Sequence, residues 1–215
     1  MLETLLQLDR EITLWINQHY SEFADIVMEF LSGRKVWIPL YLLFIYGVYR
    51  ATKSVSIDTP EPSLLGRNSK RKKLWLSVTV IIALCVAAVG LADYSSVHLF
   101  KNVFLRLRPC FEPDLEGLLR FYIGESSSKH LYGFVSSHAA NVFALAAFLT
   151  PVLRRYKVVG YGGIYLWAAL VGYSRIYLGK HYLGDVICGA ALGFAIGTAM
   201  YCLCKWVLKK VAVIR

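Results

Sequence analysis

From Leu74 to Ala92 the chain carries no charged residue, and from Val186 to Cys204 it again carries none. At about 1.5 Å per residue, helical runs of that length approach the roughly 30 Å hydrocarbon layer of a bilayer. In lipid the backbone must satisfy its own polar groups, which a continuous helix does and an open strand does not. Shorter stretches of the same character run from Val36 to Tyr49, His138 to Leu153 and Val158 to Tyr173. The expected fold is therefore all-α: an integral membrane helical bundle of about five transmembrane helices, possibly six, in a single domain over residues 1–215. A hydrophobic content of 57% agrees, being above that of ordinary soluble domains.

Residues 1–35 read differently. Leu5, Leu6, Leu8, Ile12, Trp15 and Ile16 alternate with Glu3, Asp9, Arg10 and Glu11, while Phe23, Ile26, Val27 and Phe30 alternate with Glu22, Asp25 and Glu29. Such spacing predicts amphipathic helices lying on or against the membrane. No basic segment followed by a clean apolar core and a cleavage site is present, so no signal peptide is expected. Ser54 to Ser69, with Pro60, Pro62 and Gly66, reads as a flexible cytoplasmic linker.

Loop charge gives an orientation. Arg50, Lys53, Arg67, Lys70 to Lys73, Arg154, Arg155, Lys157, Lys205, Lys209, Lys210 and Arg215 fall on one face, which the positive-inside rule makes cytoplasmic. The net charge of +10 suits anionic headgroups; with the inward cations bunched beside spans, no nucleic-acid partner is expected. Cys85, Cys188, Cys202 and Cys204 fall within spans, and no Cys/His spacing resembles a metal site, so no metal and no cofactor are expected.

The other face holds three polar clusters. Lys101 and Arg108 are about two turns apart if helical, so both reach one anion. Ser136-Ser137-His138 leads into an apolar run and reads as a helix start, where free N–H groups and the helix dipole favour an anion. Ser174-Arg175-Ile176-Tyr177-Leu178-Gly179-Lys180-His181-Tyr182-Leu183-Gly184-Asp185 places a cation, an imidazole and a carboxylate at the edge of a span, where a bilayer protein has little structural use for them.

In order and separation, Lys101-x6-Arg108-Pro109, Ser136-Ser137-His138 and Ser174-Arg175-x5-His181-x3-Asp185 resemble the three signature motifs of the type 2 phosphatidic acid phosphatase family. That family includes bacterial undecaprenyl-pyrophosphate, phosphatidylglycerophosphate and lipid A phosphatases, and shares its site with vanadium haloperoxidases and glucose-6-phosphatase. The resemblance covers a catalytic core over roughly residues 74–205. The second motif departs from the usual Pro-Ser-Gly-His: Val135 stands for the proline and Ser137 for the glycine, which would strain a loop needing positive φ there.

Phosphate-ester hydrolysis without a metal needs a nucleophile, an acid and charge neutralisation. The expected assignment has His181 attack phosphorus to form a phosphohistidine, with Asp185 holding its other ring nitrogen. His138 protonates the leaving oxygen and later deprotonates water. Lys101, Arg108 and Arg175 bind the phosphoryl oxygens, with Ser136 and the N–H of Ser137 completing the cradle. These roles match what the resemblance implies by position.

Lys180 and Arg106 stand beside motif positions and either bind a headgroup or face solvent. Asp93 either pairs with a nearby cation or is a plain interfacial charge, and His98 is expected to pack or face solvent. Tyr161, Tyr165, Trp167, Tyr173, Tyr177 and Tyr182 are expected in an interfacial belt and in span packing. Phe111 to Lys129 is expected to cap the site and set selectivity.

The function expected is a membrane phosphatase in a bacterial-type inner membrane, its site facing the periplasm, acting on a lipid phosphate or pyrophosphate that approaches sideways between spans. Undecaprenyl pyrophosphate and a lipid A phosphate rank ahead of phosphatidylglycerophosphate. A phosphotransferase, which captures the phosphohistidine with a second alcohol, and a non-catalytic phospholipid-binding protein are the alternatives. Singly, Lys101 and Arg108 would be snorkelling anchors and His181 with Asp185 a helix-end pair; two histidines, three cations and a carboxylate together on one face favour chemistry.

Overall fold

The computed structural model describes residues 2–58, 67–120, 131–156 and 162–210. These form helices α1 (Leu2–Gln18), α2 (Glu22–Ser32), α3 (Ile38–Asp58), α4 (Arg67–Ser95), the one-turn α5 (Asn102–Phe104), α6 (Ser137–Val152), α7 (Ile164–Tyr177) and α8 (Leu183–Lys210). A π-helical segment, Ser96–Lys101, joins α4 to α5. No strand occurs among the described residues; their one bridge pairs Leu107 with Tyr132. Pro60, Pro62 and Gly66 of the linker, Lys157 to Tyr161 and Phe121 to Lys129 of the expected cap lie outside the described residues.

Among the described residues two helical stretches are long and apolar enough to cross a bilayer, Asn68–Phe104 and Leu183–Lys210. Ser137–Val152 is apolar but shorter. The expected boundaries shift at several points. The helix at the first expected span starts at Ile38 and runs past Tyr49 to Asp58, and that at the fourth, expected from Val158 to Tyr173, is α7 and reaches Tyr177.

The bundle is built on the seam between α6 and α8. Gly189, Gly193 and Gly197 recur one turn apart on α8, facing Ala139, Ala140, Ala144 and Ala147 of α6. A Cβ added at Gly193 would lie 2.1 Å from the Ala140 carbonyl oxygen, and one at Gly197 2.3 Å from that of Ala144. No side chain fits there, and the two backbones approach as small residues allow within membranes. α4 packs against both helices, and α3 and α7 close a core of Phe44, Val48, Ile81, Phe148, Leu149 and Trp167. Trp167 is buried edge-on against Trp37, centroids 5.4 Å apart, so it packs the core and does not belong to an interfacial belt. Between α3, α4 and α6 an apolar cavity of about 540 Å³ opens, lined by Tyr41, Phe44, Ile81, Val86, Val142 and Leu145.

The chain passes between the two ends of this bundle so that Ser95 to Lys101, Ser136 to His138 and Arg175 to Asp185 gather at one end, with Arg67 to Lys73, Arg154 and Lys205 to Lys210 at the other. α1 and α2 sit over the first of these ends, packed on α7 and α8. Ile16 packs with Ile176, Tyr177 and Val186, whereas Leu5, Leu8, Trp15, Phe23 and Ile26 are exposed. The N-terminal helices are amphipathic as expected, but they rest on the bundle itself.

Candidate active site

Local sequence explains how each motif takes its shape. α7 ends where Gly179 adopts φ +64, and Lys180 N–H returns to the Arg175 carbonyl at 3.0 Å, the closure typical of a glycine-terminated helix. The turn holds Arg175 in the last turn of α7 and delivers His181 just before α8 begins. Ser136 caps α6: its Oγ accepts from Ala139 N at 3.4 Å. Ser137 is the first helical residue, and Leu105 alone among described non-glycine residues has positive φ, so the serine at the usual glycine position is not strained. Lys101 and Arg108 do not share a helix as expected. The helix stops at Phe104, Leu105 turns at φ 48, and Arg108 lies on an extended segment whose N–H bonds the Leu131 carbonyl at 3.0 Å.

All eight expected residues converge. His181 and Asp185 are buried, with His181 Nδ1 3.4 Å from Asp185 Oδ2. Asp185 Oδ2 also accepts from Tyr182 N at 3.1 Å, and Oδ1 from Arg106 Nη1 at 3.0 Å. The Asp185 carbonyl takes the Ser136 N–H at 2.9 Å, tying the second motif to the third. Lys101 Nζ donates to Ser137 Oγ at 2.7 Å, and that oxygen is 2.7 Å from Ser96 Oγ. Ser137 thus meets the site through its hydroxyl. Ser136, fully buried, serves the helix cap.

Burial, reinforced by the charges of Arg108, Arg175 and Lys101, pushes the His181 imidazole well below the usual histidine range. A neutral imidazole with Nδ1 turned to Asp185 leaves Nε2 with its lone pair. Gly133 is needed beside it: a Cβ there would be 3.0 Å from Asp185 Oδ2 and 3.1 Å from Arg108 Cγ. Among the described residues no group of three or more His, Cys, Asp or Glu side chains is placed to hold a metal ion.

Several residues join the site that the motifs did not indicate. From the N-terminal segment, Ser32 Oγ accepts a hydrogen bond from Arg175 Nη1, and Arg34 Nε lies 3.5 Å from His138 Nε2. Asp9 Oδ2 is 2.8 Å from Arg106 Nη2. Arg106 is therefore an internal bridge between two carboxylates, its guanidinium 4.0 Å over the Tyr182 ring, and not a headgroup contact. Asp93 accepts from Asn141 Nδ2 at 3.0 Å, and exposed His98 stacks on Tyr94. A second polar cluster fastens α2 to α7: Asp25 takes both terminal nitrogens of Arg120 and, at 2.8 Å, the Tyr177 hydroxyl. The signal for all of these is three-dimensional.

Comparison with known proteins identifies the family. Residues 72–209 match the family model of the PAP2 superfamily. The lipid A 4'-phosphatase of Bacteroides thetaiotaomicron is 31% identical over 201 residues, covering 94% of this chain and 79% of that protein. The lipid A 4'-phosphatase of Porphyromonas gingivalis is 26% identical over 205 residues, covering 93% and 74%. The crystal structure of a transmembrane PAP2-type phosphatidylglycerolphosphate phosphatase from Bacillus subtilis superposes with a TM-score of 0.58 at 22% identity, covering 97% of this chain and 88% of that one.

Proposed function

The chain belongs to the PAP2 superfamily, and we propose that it is a membrane lipid phosphatase that hydrolyses a lipid A phosphate through a phosphohistidine on His181. The observation that carries this is the seating of a neutral, buried His181 on Asp185, within electrostatic reach of Lys101, Arg108 and Arg175. With Nδ1 held by Asp185, Nε2 attacks phosphorus in line while the three cations neutralise the equatorial oxygens. Asp185 stabilises the imidazolium that forms. His138, at the head of α6, takes up a proton once the anionic phosphate sits among the surrounding cations, gives it to the leaving oxygen and then takes a proton from the water that releases phosphate. The cations do the work a metal ion does in other phosphatases, so phosphate release is expected to persist in excess chelator.

The lipid chains lie in the apolar cavity between α3, α4 and α6. Asn141 at its wall is one helical turn from His138, which brings a bilayer-embedded lipid to the site from the side. If α3, α4, α6, α7 and α8 all cross the bilayer with the basic loops in the cytoplasm, the site faces the periplasm of a bacterial inner membrane, a reading that the positive-inside rule supports. Of the three substrate classes, lipid A phosphate is supported by the names of the two relatives that cover most of this chain.

The test is phosphate release by the purified protein in detergent from lipid A, undecaprenyl pyrophosphate, phosphatidylglycerophosphate and phosphatidic acid. Release from lipid A at least about tenfold faster than from the others, which corresponds to about 1.4 kcal/mol of selectivity, is expected. Preference for another lipid overturns the substrate, and release from none overturns the hydrolase.

A further inference from the structure

We propose that Asp9 of α1 is a positioning residue for the reaction, fixing through Arg106 the carboxylate of Asp185 that orients His181. The inference rests on the roles given above to His181 and Asp185.

The geometry is closed on every side. Arg106 divides its two terminal nitrogens between Asp185 Oδ1 at 3.0 Å and Asp9 Oδ2 at 2.8 Å, and its flat face lies 4.0 Å from the Tyr182 ring centroid. With one nitrogen held by Asp9, the guanidinium can meet Asp185 in one orientation, and Asp185 Oδ2 is left for His181 and the Tyr182 N–H. The other Asp9 oxygen accepts the Gly184 N–H at 2.7 Å. This approach needs glycine, because a Cβ at position 184 would stand 2.9 Å from Asp9 Oδ2. α8 begins after Tyr182, which has no capping oxygen of the kind serine or aspartate supplies. Its first-turn N–H groups are served from α1, Gly184 by Asp9 and Leu183 by Thr13 Oγ1 at 3.2 Å.

Charge gives the arrangement its consequence. Two carboxylates against one guanidinium leave a net negative charge beside the imidazole. When His181 takes the phosphoryl group and becomes cationic, that charge opposes the Lys101, Arg108 and Arg175 cations around it. Without the Asp9 charge, Arg106 cancels Asp185 and the imidazolium loses its counter-charge. The contacts of Asp9 and Arg106 run to each other, to Gly184, to the Tyr182 ring and to Asp185, so the effect is expected on the chemical step and not on binding.

The experiment is steady-state kinetics of purified variants on dioctanoyl phosphatidic acid in detergent. Asp9→Asn keeps an oxygen for the Gly184 N–H and removes the charge; kcat is expected to fall about ten- to hundredfold with KM within about twofold. Asp9→Asn added to Arg106→Gln is expected to cost no more than about a further twofold, since the two act in series. Thr13→Val removes the neighbouring tie between α1 and α8 and is expected to keep kcat within about twofold. Unchanged kcat in Asp9→Asn, multiplying losses in the double variant, or an equal loss in Thr13→Val would each overturn the inference. If Asp9→Asn is not recovered folded, Arg106→Lys, which keeps charge but cannot fork between two carboxylates, takes its place, and full kcat there overturns it. Retained turnover in His181→Ala and Asp185→Asn would instead bring down the underlying reading, whatever Asp9→Asn does.

Discussion

His181 Nδ1 faces Asp185 Oδ2 at 3.4 Å across the first turn of α8, and the same carboxylate oxygen holds the Tyr182 N–H. The backbone contact from Tyr182 fixes the oxygen that the imidazole meets, and so sets the direction of the ring. Asp185→Asn keeps the shape and removes the charge that stabilises a phosphorylated imidazolium. It is expected to lower kcat about a hundred- to ten-thousandfold with little change in KM, read by phosphate release under saturating lipid.

Burial and three neighbouring cations keep His181 neutral below the usual histidine range. The free-enzyme profile of kcat/KM is therefore expected to keep its His181 limb well below pH 6.5, and Arg108→Gln is expected to move that limb to higher pH by removing one depressing charge. Linkage gives a second sign. An unfolded chain binds a proton at this histidine below about pH 6.5 and the folded chain does not, so stability falls as pH drops through that value. A limb at the ordinary histidine position would contradict the electrostatics described.

The α6–α8 seam makes a sharp stability contrast. Gly193→Ala drives a Cβ into the Ala140 carbonyl at 2.1 Å, whereas nothing lies within 4 Å of a Cβ at Gly90, an exposed position of α4. Gly193→Ala is expected to cost about 1–3 kcal/mol, seen as a lower thermal midpoint in detergent, and Gly90→Ala to leave it unchanged or slightly raised. His138 starts the helix that would be displaced, so activity should fall with Gly193→Ala.

The charges of the three motifs were legible because a lipid environment gives a polar residue few structural reasons to be present. Lys101, Arg108, His138, Arg175, His181 and Asp185 meet as expected. Asp9 was not legible: on α1 it reads as one more charge on a polar face, and its partner lies 97 residues away. Ser32, Arg34 and Ser96 were hidden for the same reason. Helix continuity from Lys101 to Arg108 failed because the hydrophobic pattern of Val103, Phe104 and Leu105 does not reveal the turn at Leu105. Gly189, Gly193 and Gly197 carried a readable small-residue repeat, which shows its meaning only once Ala140 and Ala144 stand opposite.

Asp25 and Arg120 fasten α2 over the site end of α7. The hydrogen bonds from Arg120 hold the Asp25 carboxyl below its usual range, assisted by the Tyr177 hydroxyl. Its contribution is fully present above the unfolded aspartate value near 3.9 and is lost as pH falls through the lower folded value. Arg120 has a side chain 35% exposed, so solvent screening limits the pair to about 1 kcal/mol. Asp25→Asn is expected to lower the thermal midpoint at pH 7, with the difference shrinking toward zero as the buffer is taken below pH 3.

During turnover His181 is expected to carry the phosphoryl group. Rapid acid-free quenching of the protein with radiolabelled lipid phosphate, followed by peptide mapping, tests it most directly. A base-stable, acid-labile phosphoryl group on the peptide containing His181, absent from His181→Ala and formed no more slowly than phosphate is released, is the result expected. Full turnover with no label on that peptide, or label retained in His181→Ala, would contradict it.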